Sequence, residues 1–159
     1  MPRFNVRVKN PPRTALRGII SRMSEAEIRA ERLRKIDRLK EAGMDPYPVT
    51  SQPTATVAAF IETFAERESG GDAATLVGRV MASRGQGGIM FADIYDGTGR
   101  IQGVLQKDDM DLPAQAGESL FSLYGETVDT GDFIELTGTA YTTKRGAQSI
   151  KVQTWRMIA

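Results

Sequence analysis

The sequence predicts a mainly β fold with flanking helices, in which five strands close into a barrel behind an N-terminal helical region. Three observations carry this prediction. Apolar residues recur at helical spacing up to about residue 70, the period changes to two from Thr75, and a short helical stretch separates the third strand from the fourth. Five strands with a helix in that position are the order of an OB-fold barrel.

The composition is that of an ordinary soluble globular domain and narrows the possible chemistry. Of 159 residues, 26% are charged and 40% hydrophobic, and the net charge is only +1. The chain has no cysteine and no histidine, which excludes disulfides and thiolate metal sites and removes the commonest general base. We therefore assign no catalytic residue and no metal ligand, and nucleic-acid binding would require local clusters of cations.

Residues 1–22 are interpreted as a basic flexible arm or leader. They contain several arginines, no acidic residue and the sequence Asn10-Pro11-Pro12. The alternative is an upstream extension without function, which the natural-looking start at Met23-Ser24 favours. No apolar run in the chain approaches the ~20 residues that a membrane span requires.

Residues 23–73 are predicted to form a helical region with a proline-rich linker. The first helix spans 24–42, because Ser24 and Glu27 fit a capping box and Gly43 fits the position after a helix end. Its cations allow two interpretations, a solvated helix with Glu31–Lys35 pairing or a surface facing phosphates. The cations that would contact a nucleic-acid backbone are Arg29, Arg32, Lys35 and Arg38.

The proline-rich linker spans residues 43–54, and a second amphipathic helix follows it. Val57, Phe60, Ile61 and Phe64 obey the i, i+3, i+4, i+7 rule, and Gly70-Gly71 ends the pattern. These apolar side chains are expected to belong to the core rather than to a ligand site.

The OB-fold domain is predicted to cover residues 74–159. Tight hairpins are expected at Asp96–Gly99 and Lys144–Ala147, and ESLFSLYGETV is the helix between strands three and four. The strands are expected near 75–84, 88–96, 99–107, 131–142 and 148–157.

Three side chains of the first three strands are predicted to share one face of the sheet. If Asp96 faces Gly99 across its turn, Phe91 and Gln102 become diagonal neighbours. If residues 85–88 form the preceding loop, Arg84 lies opposite Ile89 and joins the same face.

Each of these three side chains suits unpaired nucleotides. A phenylalanine ring stacks on a base, an amide reads a base edge with both a donor and an acceptor, and a guanidinium stacks or binds a phosphate. The alternative is that Phe91 lies inside the barrel while Arg84 and Gln102 are merely solvated.

Other candidate sites are weaker. Lys144 and Arg145, with Lys151 and Arg156, are cations at the end of strands four and five that either meet a nucleic-acid backbone or are simply exposed. The acidic run 107–111 is interpreted as a solvated loop rather than a cation site, because it lacks the spacing of an EF-hand. The glycines of 85–88 are not followed by the residues of a P-loop.

Over residues 28–159 the chain resembles the N-terminal anticodon-binding domain of class II lysyl-tRNA synthetases. The resemblance is carried by RAERLRKIDRLKEAGMDPYP, VGRVMASRGQGGIMFADIYDGTGRIQGVLQKDDM and DTGDFIELTGTAYTTKRGAQSIKVQTWRMIA. The helix ending in Gly-x-x-Pro-Tyr-Pro is specific to lysyl enzymes, whereas the second segment is shared with aspartyl and asparaginyl relatives.

The resemblance implies a five-stranded OB barrel whose sheet face holds the anticodon of a lysine tRNA. Phe91 would stack on the central uridine, and Arg84 and Gln102 would hydrogen-bond to anticodon bases. The parent would be a cytoplasmic, homodimeric lysine–tRNA ligase that uses ATP and magnesium. The present chain would hold no cofactor, would not be catalytic by itself, and as a fragment is expected to be monomeric.

The chain departs from the family at two points. Lysyl enzymes usually carry a glutamate directly after the glycine of the last turn, where this chain has Ala147, so weaker reading of one anticodon position is expected. The catalytic domain is also missing, which suggests an excised domain. The alternatives are a free-standing OB module for single-stranded nucleic acid and an aspartyl- or asparaginyl-type domain.

Overall fold

The computed structural model describes residues 23–110 and 119–159. The basic segment 1–22 and Asp111 of the acidic run lie outside the described residues. By its contacts the chain divides into residues 1–34 and residues 35–159, and the barrel belongs to the second unit. The elements are α1 (Glu25–Glu41), α2 (Val57–Glu62), α3 (Phe64–Gly70), β1 (Ala73–Gln86), β2 (Ile89–Tyr95), β3 (Arg100–Gln106), a 3-10 turn (Lys107–Asp109), α4 (Leu120–Thr127), β4 (Phe133–Thr142) and β5 (Gln148–Met157).

The predicted fold class is confirmed, because the five strands close into one barrel and are preceded along the chain by N-terminal helices. The strand order is β1-β2-β3-β5-β4. All neighbouring strands are antiparallel except β3 and β5, which run parallel. Parallel strands cannot be joined by a tight turn, and the chain between β3 and β5 contains both α4 and β4.

Helix α1 begins at the predicted capping box. The Ser24 amide and hydroxyl both donate to the Glu27 carboxylate, at 2.7 and 2.9 Å, and the Glu27 amide donates back to the Ser24 hydroxyl. These hydrogen bonds lower the pKa of Glu27. At the other end Gly43 adopts a φ of +76°, which a glycine accepts without strain.

The predicted second helix is wrong in one respect, because it consists of two short helices that meet at Thr63. The Thr63 backbone departs from α-helical geometry, with φ −101° and ψ 17°, and its hydroxyl donates to the carbonyl of Ala59. Such a bond from threonine to the preceding turn competes with the regular helix ladder. The apolar pattern still describes the packing, since Val57, Phe60 and Phe64 are buried.

The barrel interior is filled by alternate residues of the strands and by the inner side of α4. Ala92 and Ile94 of β2 point inward, and Tyr124 of α4 packs edge-on against Trp155 of β5 with ring centroids 5.4 Å apart. Gly138 lies where the register of β4 and β5 shifts, and a Cβ there would collide with the Lys151 carbonyl. This glycine therefore permits the bulge that bends the barrel.

The hairpin between β2 and β3 is clamped to the start of α2 by one carboxylate. Asp96 accepts hydrogen bonds from the Val57 amide at 2.8 Å and from the Thr98 amide and hydroxyl at 2.8 and 2.7 Å. Burial raises the pKa of Asp96, but these bonds and one from Gly99 outweigh it and hold the pKa below its ordinary value. These hydrogen bonds hold the turn between β2 and β3 in place and thereby fix the register of the two strands.

Within the described ranges, no helix has both the length and the apolar character needed to cross a bilayer.

Candidate nucleic-acid interface

The register of β2 and β3 places Phe91 and Gln102 as predicted. Phe91 lies opposite Val104 and Asp93 lies opposite Gln102, so the ring and the amide are diagonal neighbours on one face.

The predicted register of β1 and β2 is wrong by two residues. Arg84 lies opposite Phe91, not opposite Ile89. The strands extend to Gln86 and Ile89 and leave only Gly87 and Gly88 in the turn, where Gly87 takes a φ of +61°. Because a shift of two preserves the face of each side chain, Arg84 still joins Phe91 and Gln102.

These three side chains, hereafter the triad, contact one another directly. The Arg84 guanidinium donates to Gln102 Oε1 at 2.6 Å. The same guanidinium lies over the Phe91 ring, with its central carbon 5.0 Å from the ring centroid, which is cation–π geometry. The triad therefore presents a ring, an amide and a cation as one connected surface.

The triad lies on the outside of the barrel. Its neighbours Ala92 and Ile101 point inward and are buried, whereas Phe91 and Gln102 are half-buried and Arg84 is exposed. Val104, opposite Phe91, is buried but lies outside the main core cluster, as expected for a residue covered by the ring on the outer face. The alternative of Phe91 as an interior residue is thus wrong.

The structure adds Ser149, which the sequence did not single out. Gln102 Nε2 donates to Ser149 Oγ at 3.1 Å, and Ser149 Oγ donates to the Ala147 carbonyl at 3.3 Å. Ser149 begins the parallel ladder with β3, opposite Gln102. Hairpin counting could not reveal this contact, since it depends on the closure of the barrel between two strands distant in sequence.

The Ala147 turn closes as predicted and borders the triad face. The Thr143 amide donates to the Ala147 carbonyl at 3.0 Å, and Gly146 takes a φ of +82°. Lys144 and Arg145 are exposed in this turn. The side chain of Ala147 is itself exposed and lies beside the triad face.

Two more residues continue the outer face across β5 and β4. The Lys151 ammonium lies 3.3 Å from Asp109 and 5.9 Å from the centroid of the Tyr141 ring. Arg156 does not belong to this group, contrary to the prediction. It lies at the far end of β5, where its guanidinium is 2.9 Å from Glu135, and borders two clefts of about 370 and 400 Å³ away from the triad.

The cations of α1 have a different environment. Lys35 donates to both carboxylate oxygens of Asp129 at 2.7 Å, and Arg38 donates to Glu126 at 3.1 Å. Arg29 and Arg32 belong to the first unit, where both are exposed on the helix. Lys35 and Arg38 thus attach the end of α1 to α4 and to the loop after it.

Comparison with known proteins identifies the domain to which this face belongs. Residues 74–158 match the family model of the tRNA anticodon-binding type, described as an OB-fold nucleic acid binding domain. The match covers the five strands that carry the triad and Ser149.

Individual relatives fall into two groups. The chain is 34% identical to the lysine–tRNA ligase of Roseiflexus sp. (strain RS-1) over 134 residues and 37% identical to that of Parasynechococcus marenigrum over 136 residues, covering 84% of this chain and 26% of each ligase. It is 39% identical over 127 residues to the lysylphosphatidylglycerol biosynthesis bifunctional protein LysX of Mycolicibacterium vanbaalenii, covering 80% of this chain and 10% of LysX.

The chain therefore spans about a quarter of the length of the ligases it matches and about a tenth of LysX. The chain belongs to the family of OB-fold tRNA anticodon-binding domains, in the branch found in lysine–tRNA ligases and LysX proteins.

Proposed function

We propose that this chain is the anticodon-binding domain of a lysine–tRNA ligase and that the triad holds the bases of a lysine anticodon. The observation that carries the proposal is the contact of Arg84, Phe91 and Gln102 on one outer face of the matched domain. Phe91 stacks on the central uridine, and the other two side chains hydrogen-bond to base edges.

The chemistry of the face suits unpaired bases better than a duplex. Base–aromatic stacking contributes roughly 1–3 kcal/mol per base, and sequence-specific RNA recognition mostly targets loops whose bases are splayed out. The exposed Lys144 and Arg145 in the adjacent turn supply cations for the backbone of the same loop.

The activity of the whole enzyme follows from the proposal rather than from this chain. The parent would join lysine to its tRNA in the cytoplasm, with ATP and magnesium used by a separate catalytic part and with two copies forming a dimer. The similarity to LysX supports a second parent, a bifunctional protein with the same domain, in which the face would keep the same ligand.

The proposal is tested by binding of the chain to RNA stem-loops. We expect a loop with the anticodon UUU to bind at micromolar or weaker affinity, and the logarithm of the affinity to fall with the logarithm of the salt concentration by about 0.7 per phosphate contacted. The affinity is measured by fluorescence anisotropy at several salt concentrations.

Three control loops separate the competing functions. A scrambled loop bound as tightly as UUU would contradict the proposal and favour a general single-strand module. Preference for GUC or GUU would favour an aspartyl- or asparaginyl-type domain instead.

A further inference from the structure

We propose that Ser149 is a positioning residue that fixes the amide orientation of Gln102 and thereby lets the face distinguish uridine from cytidine. The inference rests on the proposed function, because it concerns how that face reads a base. It is carried by a chain of hydrogen bonds that runs from Arg84 through Gln102 and Ser149 to the carbonyl of Ala147.

The direction of this chain is set by Arg84. A guanidinium has only donors, so the amide atom 2.6 Å from Arg84 Nη2 must be the oxygen of Gln102. The amide nitrogen then faces β5 and donates to Ser149 Oγ, and the Ser149 hydrogen is directed to the Ala147 carbonyl. Each bond thus fixes the direction of the next.

Burial makes this orientation costly to reverse. Ser149 is fully buried, so water does not reach its hydroxyl. A flipped amide would turn its NH₂ group against the guanidinium and its oxygen against Ser149. The Arg84 bond would be lost, and the hydroxyl would have to leave Ala147 to donate to Gln102.

The fixed amide still has capacity to bind a base. Nε2 uses one of its two hydrogens on Ser149, and Oε1 uses one of its two lone pairs on Arg84. One donor and one acceptor therefore remain, side by side and in a fixed order, on a half-buried side chain of the outer face.

The order of donor and acceptor distinguishes the two pyrimidines. Uracil offers an N3–H donor beside the O4 acceptor, whereas cytosine offers an N3 acceptor beside an N4 amino donor. An amide that rotates by 180° fits either pattern. An amide held in one orientation, against a base whose plane is set by stacking, fits only one of them.

The test measures discrimination rather than affinity. Stem-loops with uridine or cytidine at each anticodon position are titrated with the wild type and with Ser149→Ala, Ser149→Cys and Thr139→Val. Ser149→Ala is expected to reduce the uridine/cytidine affinity ratio at one position about 5- to 10-fold while the UUU affinity falls less than threefold. The uridine/cytidine affinity ratio of Ser149→Cys should lie between those of the wild type and Ser149→Ala, because a thiol is a weak donor and acceptor.

Thr139→Val is the matched control. It removes a hydroxyl from β4 opposite Lys151, on the same outer face, but outside the chain of bonds, and should leave every ratio unchanged. An unchanged ratio in a folded Ser149→Ala variant would overturn the inference. Failure of the wild type to prefer UUU over scrambled loops would instead contradict the proposed function.

The orientation is also tested without RNA. In ¹H–¹⁵N spectra of the free wild-type chain, the Gln102 side-chain NH₂ should show slowed hydrogen exchange and restricted motion, and Ser149→Ala should abolish both. If the Gln102 amide of the wild type exchanges as fast as that of the exposed Gln153, the amide is not held and the inference is wrong.

Discussion

Cations occur on both the triad face and helix α1, but the two regions use them differently. On the triad face, Arg84 contacts an amide and a ring that are themselves open to a ligand. On α1, Lys35 and Arg38 contact carboxylates of the same unit. Charge in the sequence does not distinguish these cases, because the difference lies in which side chains the fold brings opposite each cation.

Under the proposed function, the triad face serves RNA binding, whereas the ion pairs of Lys35 and Arg38 contribute to stability. The Asp129 carboxylate accepts hydrogen bonds from Lys35 on both of its oxygens. It thereby neutralises the positive charge that would attract a phosphate. An arginine held by a neutral amide retains its full charge. Substitutions in the two regions should therefore have separable effects.

The largest effect is expected for Phe91→Ala. Loss of one base stack should weaken binding of the UUU loop by about 1–3 kcal/mol. The chain should stay folded, with only a modestly lower thermal unfolding midpoint, because the half-buried ring lies outside the core cluster. Anisotropy titration and thermal melting measure the two quantities.

Tyr95→Ala is the matched control, since Tyr95 is an aromatic residue on the same face of β2 and 44% exposed, yet lies outside the triad. Equal losses of affinity for the UUU loop in Phe91→Ala and Tyr95→Ala would contradict a specific role of the triad in binding.

A smaller effect, on stability, is expected for Asp96→Asn. The substitution weakens the clamp between the β2–β3 turn and α2 and should lower the free energy of unfolding by about 1–2 kcal/mol at neutral pH. Because folding lowers the pKa of Asp96, its contribution is present above the unfolded pKa of about 3.9 and is lost as the pH falls through the folded value.

Urea unfolding at several pH values tests this prediction. The difference between the wild type and Asp96→Asn should shrink as the medium is acidified below about pH 4. A difference that stays constant down to the acid limit would show that the carboxylate charge does not hold the turn.

The smallest effects are expected for the pair Lys35→Ala and Lys144→Ala. Lys35→Ala breaks the contact with Asp129 and should lower the free energy of unfolding by about 1 kcal/mol without changing the salt dependence of RNA binding. Lys144→Ala should leave stability unchanged and reduce the salt slope by about 0.7. A reduced slope for Lys35→Ala would place α1, too, at the RNA backbone.

Much of the fold and part of the face followed from local patterns. The capping box at Ser24, the two-residue alternation of the strands and the Asp96 turn are short-range signals, and each predicted its element correctly. The break at Thr63 was missed because an apolar pattern records which side chains are buried and not whether the backbone stays helical. The β1–β2 register was missed because glycines leave the length of a turn open.

The sequence by itself determined the barrel, its strand order along the chain and the common face of Arg84, Phe91 and Gln102, because side-chain alternation makes the face independent of a shift by two residues. Only the tertiary structure decided that Gln102 contacts Ser149 and that Lys35 contacts Asp129. These partners are 47 and 94 residues apart. They meet because the barrel closes between β3 and β5 and because the end of α1, from Lys35 onward, lies beside the loop after α4. Local periodicity carries no information about such contacts.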